Sequence, residues 1–153
     1  MRGDYITRVL TAEDEPILWE MLLHGLRSSP GESRPSRDAV RQPELAKYVE
    51  GWGRPGDRGF VASDVSDRQL LGAVWCRSSP KGVTPELAFV VTPGQRKRGI
   101  GAALLTQWVR TNPEQSEVSL RVQAGSPAVR LYERFGFRVA GETAGFVTMR
   151  REL

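Results

Sequence analysis

Apolar and polar positions change period several times along the chain, and each change predicts an element. YITRVL (5–10) alternates and reads as a short strand. In TAEDEPILWEMLLHGLR (11–27), Ile17, Met21 and Leu22 fall at helical spacing. Thr11 is the N-cap of that amphipathic helix, with Asp14 three residues on in a variant of the capping box. Residues 28–43, SSPGESRPSRDAVRQP, follow no period and predict a mobile connection. A loop of this length in a compact domain forms a lid or a partly helical excursion. Helical spacing returns in ELAKYVEGW (44–52) and stops at the breakers of GRPGDRG (53–59).

From residue 59 the period shortens. GFVASDV (59–65) and QLLGAVWCR (69–77) flank the turn residues SDR and predict a hairpin. ELAFVV (86–91) is short and nearly continuous in apolar residues, as in a strand covered on both faces. AALLTQWVR (102–110) predicts a helix stopped by Asn112 and Pro113. EVSLRV alternates strictly, with Val118, Leu120 and Val122 on one face. Ser126 caps a helix with Pro127 at its first position and Gly136 at its stop. FRVAGE (137–142) and FVTMRRE (146–152) predict a closing antiparallel pair. The order of elements gives an α/β (α+β) class, a mixed central sheet covered by helices.

Composition narrows the function classes. The 153 residues, 39% hydrophobic and 26% charged, make a single domain over 1–153. No apolar run approaches the ~20 residues of a membrane span, and MRGDYITRVL has no apolar signal core, so the cytoplasm is expected. Cys76 is the single cysteine and His24 the single histidine, which excludes an internal disulfide and argues against a His/Cys metal site. A net charge of +4 points to an anionic partner, either nucleic acid or a phosphorylated small molecule. Arg121, Arg130, Arg134 and Arg138 alternate with apolar residues on different elements, which reads as a solvated face. The aromatic signature of an RNA-recognition motif is absent too, so nucleic acid is not the expected partner.

The densest positive charge lies in PGQRKRGIGAALL (93–105), at the entrance to a helix. A glycine-rich turn between strand and helix suits an anion, because the first N–H groups of a helix have no internal partners. A Walker A loop needs Lys-Ser/Thr after its last glycine, and this chain has none there. A dinucleotide fingerprint fails on leucine at its last position. What fits is Arg96-Lys97-Arg98-Gly99-Ile100-Gly101, preceded by VVTP and followed by AALL. This resembles the acetyl-coenzyme A-binding signature of the GNAT superfamily of N-acetyltransferases. The family's second signature, A-x-x-L-Y-E-(K/R)-x-G-F, is matched throughout by AVRLYERFGF (128–137). One position departs from the pattern: Gly125 stands where the family often has Asn.

The resemblance implies a mostly antiparallel sheet of about seven strands flanked by about four helices. It implies acetyl-coenzyme A as cosubstrate, no metal, and an amine acceptor on a small molecule or peptide. The pyrophosphate would rest on the backbone N–H groups of Arg98, Gly99, Ile100, Gly101 and Ala102, with the side chains of Arg96, Lys97 and Arg98 near the phosphates. Val90, Val91, Ser126 and Ala128 would complete the coenzyme site. Tyr132 would protonate the departing thiolate; the competing reading is an aromatic packed on Leu131 or Phe135. Glu86 would act as base through water, or is simply a charged residue at a strand end. Cys76 reads as a small apolar filler, which leaves direct attack in a ternary complex rather than a covalent acyl-enzyme. Trp19, Glu20, Trp52 and Trp75 are candidates to line the acceptor pocket. A non-catalytic acyl-coenzyme A-binding sensor or interaction module is the alternative function, and a homodimer stays open.

Overall fold

The computed structural model describes residues 5–25, 37–78, 84–92, 99–111, 117–123, 125–126, 128–143 and 145–152. In chain order the elements are β1 (Tyr5–Val9), α1 (Glu15–Gly25), α2 (Pro43–Ala46), β2 (Arg58–Asp64), β3 (Leu70–Cys76) and β4 (Leu87–Val91). They continue with α3 (Ile100–Thr111), β5 (Glu117–Gln123), α4 (Ala128–Arg134), β6 (Arg138–Thr143) and β7 (Phe146–Glu152). β5 and β7 follow alternating stretches of the sequence, with Val118, Leu120, Val147 and Met149 buried, because one buried face specifies register.

The seven strands are those expected, and they are laddered as two antiparallel sheets. β1-β2-β3-β4 form an antiparallel four-stranded sheet, and β5-β7-β6 a three-stranded one with β7 in the middle. The two sheets meet at a parallel bridge between Glu86 and Ser119, where Ser119 N–H donates to Pro85 O at 2.9 Å. Beyond that bridge β4 is laddered to β3 and β5 to β7. The β4–α3–β5 crossover therefore joins two parallel strands that touch at their starts and then part.

Each face of the first sheet has its own core. Phe60, Ala62, Val74, Cys76 and Leu87 pack with Ile100, Leu104, Leu105 and Trp108 of α3, and with Tyr132, Phe137 and the inward residues of β5 and β7. Val61, Ala73 and Trp75 pack on the other face with Leu18, Met21 and Leu22 of α1, and with Val49 and Trp52. β2 and β3 are consequently buried almost throughout. β4, whose apolar run predicts cover on both faces, is only half-buried over 88–91, because its outer side opens on the parting.

The start of α1 realises the capping box. Thr11 N–H donates to Asp14 Oδ2 at 2.7 Å, and Glu13 N–H donates to Thr11 Oγ1 at 3.3 Å. A 3-10 turn, Ala12–Asp14, precedes the α-helix proper. Arg8 of β1 donates from both terminal nitrogens to the Asp14 carboxylate, at 2.8 and 2.9 Å. That fork holds the carboxyl of Asp14 down at about 2, against the opposing effect of its burial. A depressed carboxyl stabilises the fold above its unfolded value, so this contribution is whole above about pH 4 and drains away as pH falls towards 2. Asp14→Ala is expected to cost about 1–2 kcal/mol at pH 7, discounted because Arg8 is half solvated. Thermal melts of the two proteins at pH 7 and pH 3 should converge at the lower pH; a constant gap would show that the carboxylate charge contributes nothing.

The connection after α1 is partly helical where it is described. Arg37–Arg41 form a 3-10 turn, and the Arg41 guanidinium lies 3.8 Å from the Trp19 ring centroid. Residues 28–36 lie outside the described residues. ELAKYVEGW is not one helix: α2 is a single turn, and hydrogen-bonded turns carry the chain on to Gly51. Two indole donors fasten those turns, Trp75 Nε1 to Tyr48 O and Trp52 Nε1 to Thr11 O, both at 2.8 Å. No described helix is long and apolar enough to cross a membrane.

Candidate active site

Three elements converge on the parting of the sheets. On β4 the hydrogen-bonding alternation decides which backbone groups are free. Thr92 N–H donates to Leu71 O at 2.9 Å, so the polar groups of Val90 and Ala88 are spent on β3. Those of Val91 and Phe89 face the parting. Val90 is thus turned away by its backbone, and its side chain packs on the α1 core. Phe89, which the sequence reading passed over, presents the groups that Val90 does not.

α3 begins beside β4. Gly99 has φ +78°, a left-handed conformation that suits glycine, and a Cβ there would meet no atom of the described residues within 4 Å. Ala103 N–H bonds to Gly99 O, which leaves the N–H groups of Ile100, Gly101 and Ala102 without helical partners. Ile100's side chain is fully buried in the core, so only its backbone faces outward. Gly101 has a different reason to be glycine from the one its motif suggests. A Cβ there would lie 3.0 Å from Phe89 Cζ and 3.3 Å from Leu131 Cδ2, so its missing side chain lets α3 lie close on β4 and α4. Arg96, Lys97 and Arg98 lie outside the described residues.

α4 carries Tyr132 and is capped at both ends. Ser126 Oγ accepts from Ala128 N–H at 3.1 Å, while Pro127 lies outside the described residues. Gly125 is exposed at φ +82°, a conformation that glycine adopts freely and Asn tolerates better than most residues. At the other end Phe137 N–H bonds to Tyr132 O and Gly136 N–H to Glu133 O, a Schellman motif made possible by Gly136 at φ +91°. The accompanying hydrophobic contact is between Phe137 and the Tyr132 ring, 5.9 Å between centroids, and Phe89 meets the same ring edge-on at 5.6 Å. Tyr132 is buried, and burial pushes its phenol well above the ordinary tyrosine value. The ring is held by packing from two sides, and its proton is retained.

Glu86 stands where the two sheets touch. It accepts a hydrogen bond from the Tyr48 hydroxyl, with Arg121 Nε 3.8 Å and Lys47 Nζ 4.0 Å from its carboxylate. Burial, then the bond to Glu86, pushes the Tyr48 phenol far up, so it is a neutral donor. Tyr48 was missed in the sequence, because nothing local ties a residue of the α2 turn to a strand thirty-eight positions on.

The other candidates divide. Trp52 and Trp75 are buried core residues with satisfied indoles, which removes them from any acceptor pocket. Trp19 and Glu20 are half-buried on α1, and Trp19 Nε1 donates to Glu15 Oε2 at 3.1 Å. Cys76 is buried, and burial raises its thiol to about 11, so little reactive thiolate exists near neutral pH. Val91, Ala102 and Ala128 are half-buried around the parting and the two helix starts.

Two antiparallel sheets thus part between β4 and β5, with a helix start and a buried tyrosine beside the gap. A family model described as the acetyltransferase (GNAT) family matches residues 19–137. Among solved structures, a candidate phosphinothricin N-acetyltransferase aligns over 98% of this chain and 99% of its own, with a TM-score of 0.68 at 16% identity. A GCN5-related N-acetyltransferase from Kribbella flavida aligns over 97% and 98%, with a TM-score of 0.66 at 22% identity. A spermidine/spermine N-acetyltransferase from Vibrio cholerae aligns over 97% and 92%, with a TM-score of 0.60 at 21% identity. At such identities the likeness is one of fold. No curated protein matches the sequence significantly. The chain belongs to the GNAT family of acetyltransferases.

Proposed function

We propose that this protein is an N-acetyltransferase that moves the acetyl group of acetyl-coenzyme A to a primary amine by direct attack in a ternary complex. The observation that carries the reading is the parting of β4 from β5 beyond the Glu86–Ser119 bridge. Among the described residues it leaves the backbone groups of Phe89 and Val91 without strand partners, and it adjoins both the start of α3 and the Tyr132 ring. An extended amide-bearing arm suits such an edge, because it supplies the hydrogen bonds a strand would have made. The N–H groups of Ile100, Gly101 and Ala102 suit a pyrophosphate, and the open space beside Gly99 admits one.

Bound there, the coenzyme supplies an activated acetyl thioester: a C–N bond forms to the amine, the C–S bond breaks, and the thiolate leaves. Tyr132, whose ring packs edge-on against Phe89 beside the parting, donates the proton that the thiolate needs. Glu86 takes up the proton that the amine sheds, through water. Cys76, buried with a raised thiol, supports transfer without an acyl-cysteine intermediate.

Calorimetry with acetyl-coenzyme A and a thiol-release assay on an amine panel test the reading. Acetyl-coenzyme A at 100 times its dissociation constant is expected to add about 2.7 kcal/mol of stability, visible as a raised Tm. No binding of the coenzyme overturns the proposal. Binding without thiol release to any amine would make the protein an acyl-coenzyme A sensor instead.

A further inference from the structure

The cluster around Glu86 carries two cations on one carboxylate, and it lies on the face of the sheets opposite Tyr132. Glu86 shares its face with Ala88 and Val90, which pack towards α1, whereas Leu87 and Phe89 pack towards Tyr132. Arg121 alternates with Leu120 and Val122, which point into the Tyr132 core. The side chains of Arg121 and Lys47 are each 50% exposed and that of Glu86 27%. All three charges are therefore accessible at the junction from which the parting opens.

We infer that Glu86, Arg121 and Lys47 form an acceptor subsite of two signs, which selects an amine carrying a carboxylate or phosphonate close to its nitrogen, as in an α-amino acid. This rests on the acetyl-transfer reading above and specifies its substrate class. The ammonium of such an acceptor is drawn to Glu86 across the relaying water, and its anionic group takes the guanidinium of Arg121. The planar guanidinium offers a two-point fork to a carboxylate or phosphonate, and Lys47 adds a point charge. A plain alkylamine satisfies Glu86 and leaves both cations facing another cation. A polyamine is worse, since its second ammonium approaches the same pair. Tyr48 is a positioning residue here: its hydroxyl fixes the Glu86 carboxylate whether or not an acceptor is bound.

The test compares kcat/KM for α-amino acids with the amines obtained by removing their carboxyl, for instance leucine against 3-methylbutylamine, with spermidine as a third arm. The wild type is expected to favour the amino acids. Arg121→Ala should lower the ratio of amino acid to plain amine by roughly tenfold to a hundredfold, mostly through KM, because a charged hydrogen-bond pair is lost. Arg121→Lys should recover part of that ratio, which a purely structural arginine would not require. Three results overturn the inference: preference for plain amines or spermidine, an equal loss for both members of each pair in Arg121→Ala, or failure of every pair to bind the coenzyme A-loaded protein in calorimetry. If acetyl-coenzyme A binds and only plain amines are acetylated, the subsite is refuted while the broader activity stands. If the coenzyme itself does not bind, both fall.

Discussion

Tyr132→Phe is expected to lower kcat about 10²–10⁴-fold while leaving the affinity for acetyl-coenzyme A within about twofold. The ring is gripped edge-on by Phe89 and Phe137, and the Schellman cap is made by the backbone, so phenylalanine keeps every packing contact. What disappears is one hydroxyl whose proton burial has secured. A proton given to a departing thiolate matters in the transition state and hardly at all in the ground state, so the loss falls on kcat and kcat/KM together. Steady-state kinetics give the split, rapid-quench measurement shows whether acetyl transfer limits turnover, and calorimetry checks the coenzyme. Unchanged turnover with transfer rate-limiting would reduce Tyr132 to a packing residue.

Gly101→Val is expected to damage stability and coenzyme affinity together. From the motif alone, valine there would fill space approached by the pyrophosphate. The backbone directs a Cβ the other way, to within 3.0 Å of Phe89 Cζ and 3.6 Å of Val91 Cγ2. A branched side chain therefore wedges α3 away from β4 and α4. Overpacking of this kind costs about 1–3 kcal/mol, and for a chain of this length that is roughly 2–12 °C in Tm. Moving α3 also shifts the N–H groups of Ile100, Gly101 and Ala102 relative to the β4 edge, so affinity for acetyl-coenzyme A should fall at least about tenfold. Gly101→Ala should show the same two effects at smaller size. Normal melting with lost affinity would restore the sequence-based reason, and normal behaviour in both would mean that the coenzyme does not use this helix start.

The strands, α1, α3 and α4 were legible in the sequence because each depends on signals local to it: alternation in EVSLRV, Thr11 and Asp14 at one cap, Ser126 and Gly136 at the ends of another. The two family signatures were legible for the same reason, since each is a contiguous run. What tertiary structure alone decided is how the runs meet. An apolar run such as ELAFVV carries no mark of an unpaired edge, so the half-exposure of β4 and the division of the sheet follow only from strand pairing. Periodicity likewise does not say which backbone groups of β4 are free, and this favours Phe89 and Val91 over Val90. Trp52 and Trp75 could not be told from pocket aromatics until their indoles were seen bonded within the core. Tyr48, Glu86 and Arg121 come from three distant parts of the chain, and no local pattern links them. Local order is written in nearest-neighbour chemistry, whereas a site assembled from distant residues exists only once the chain has closed on itself.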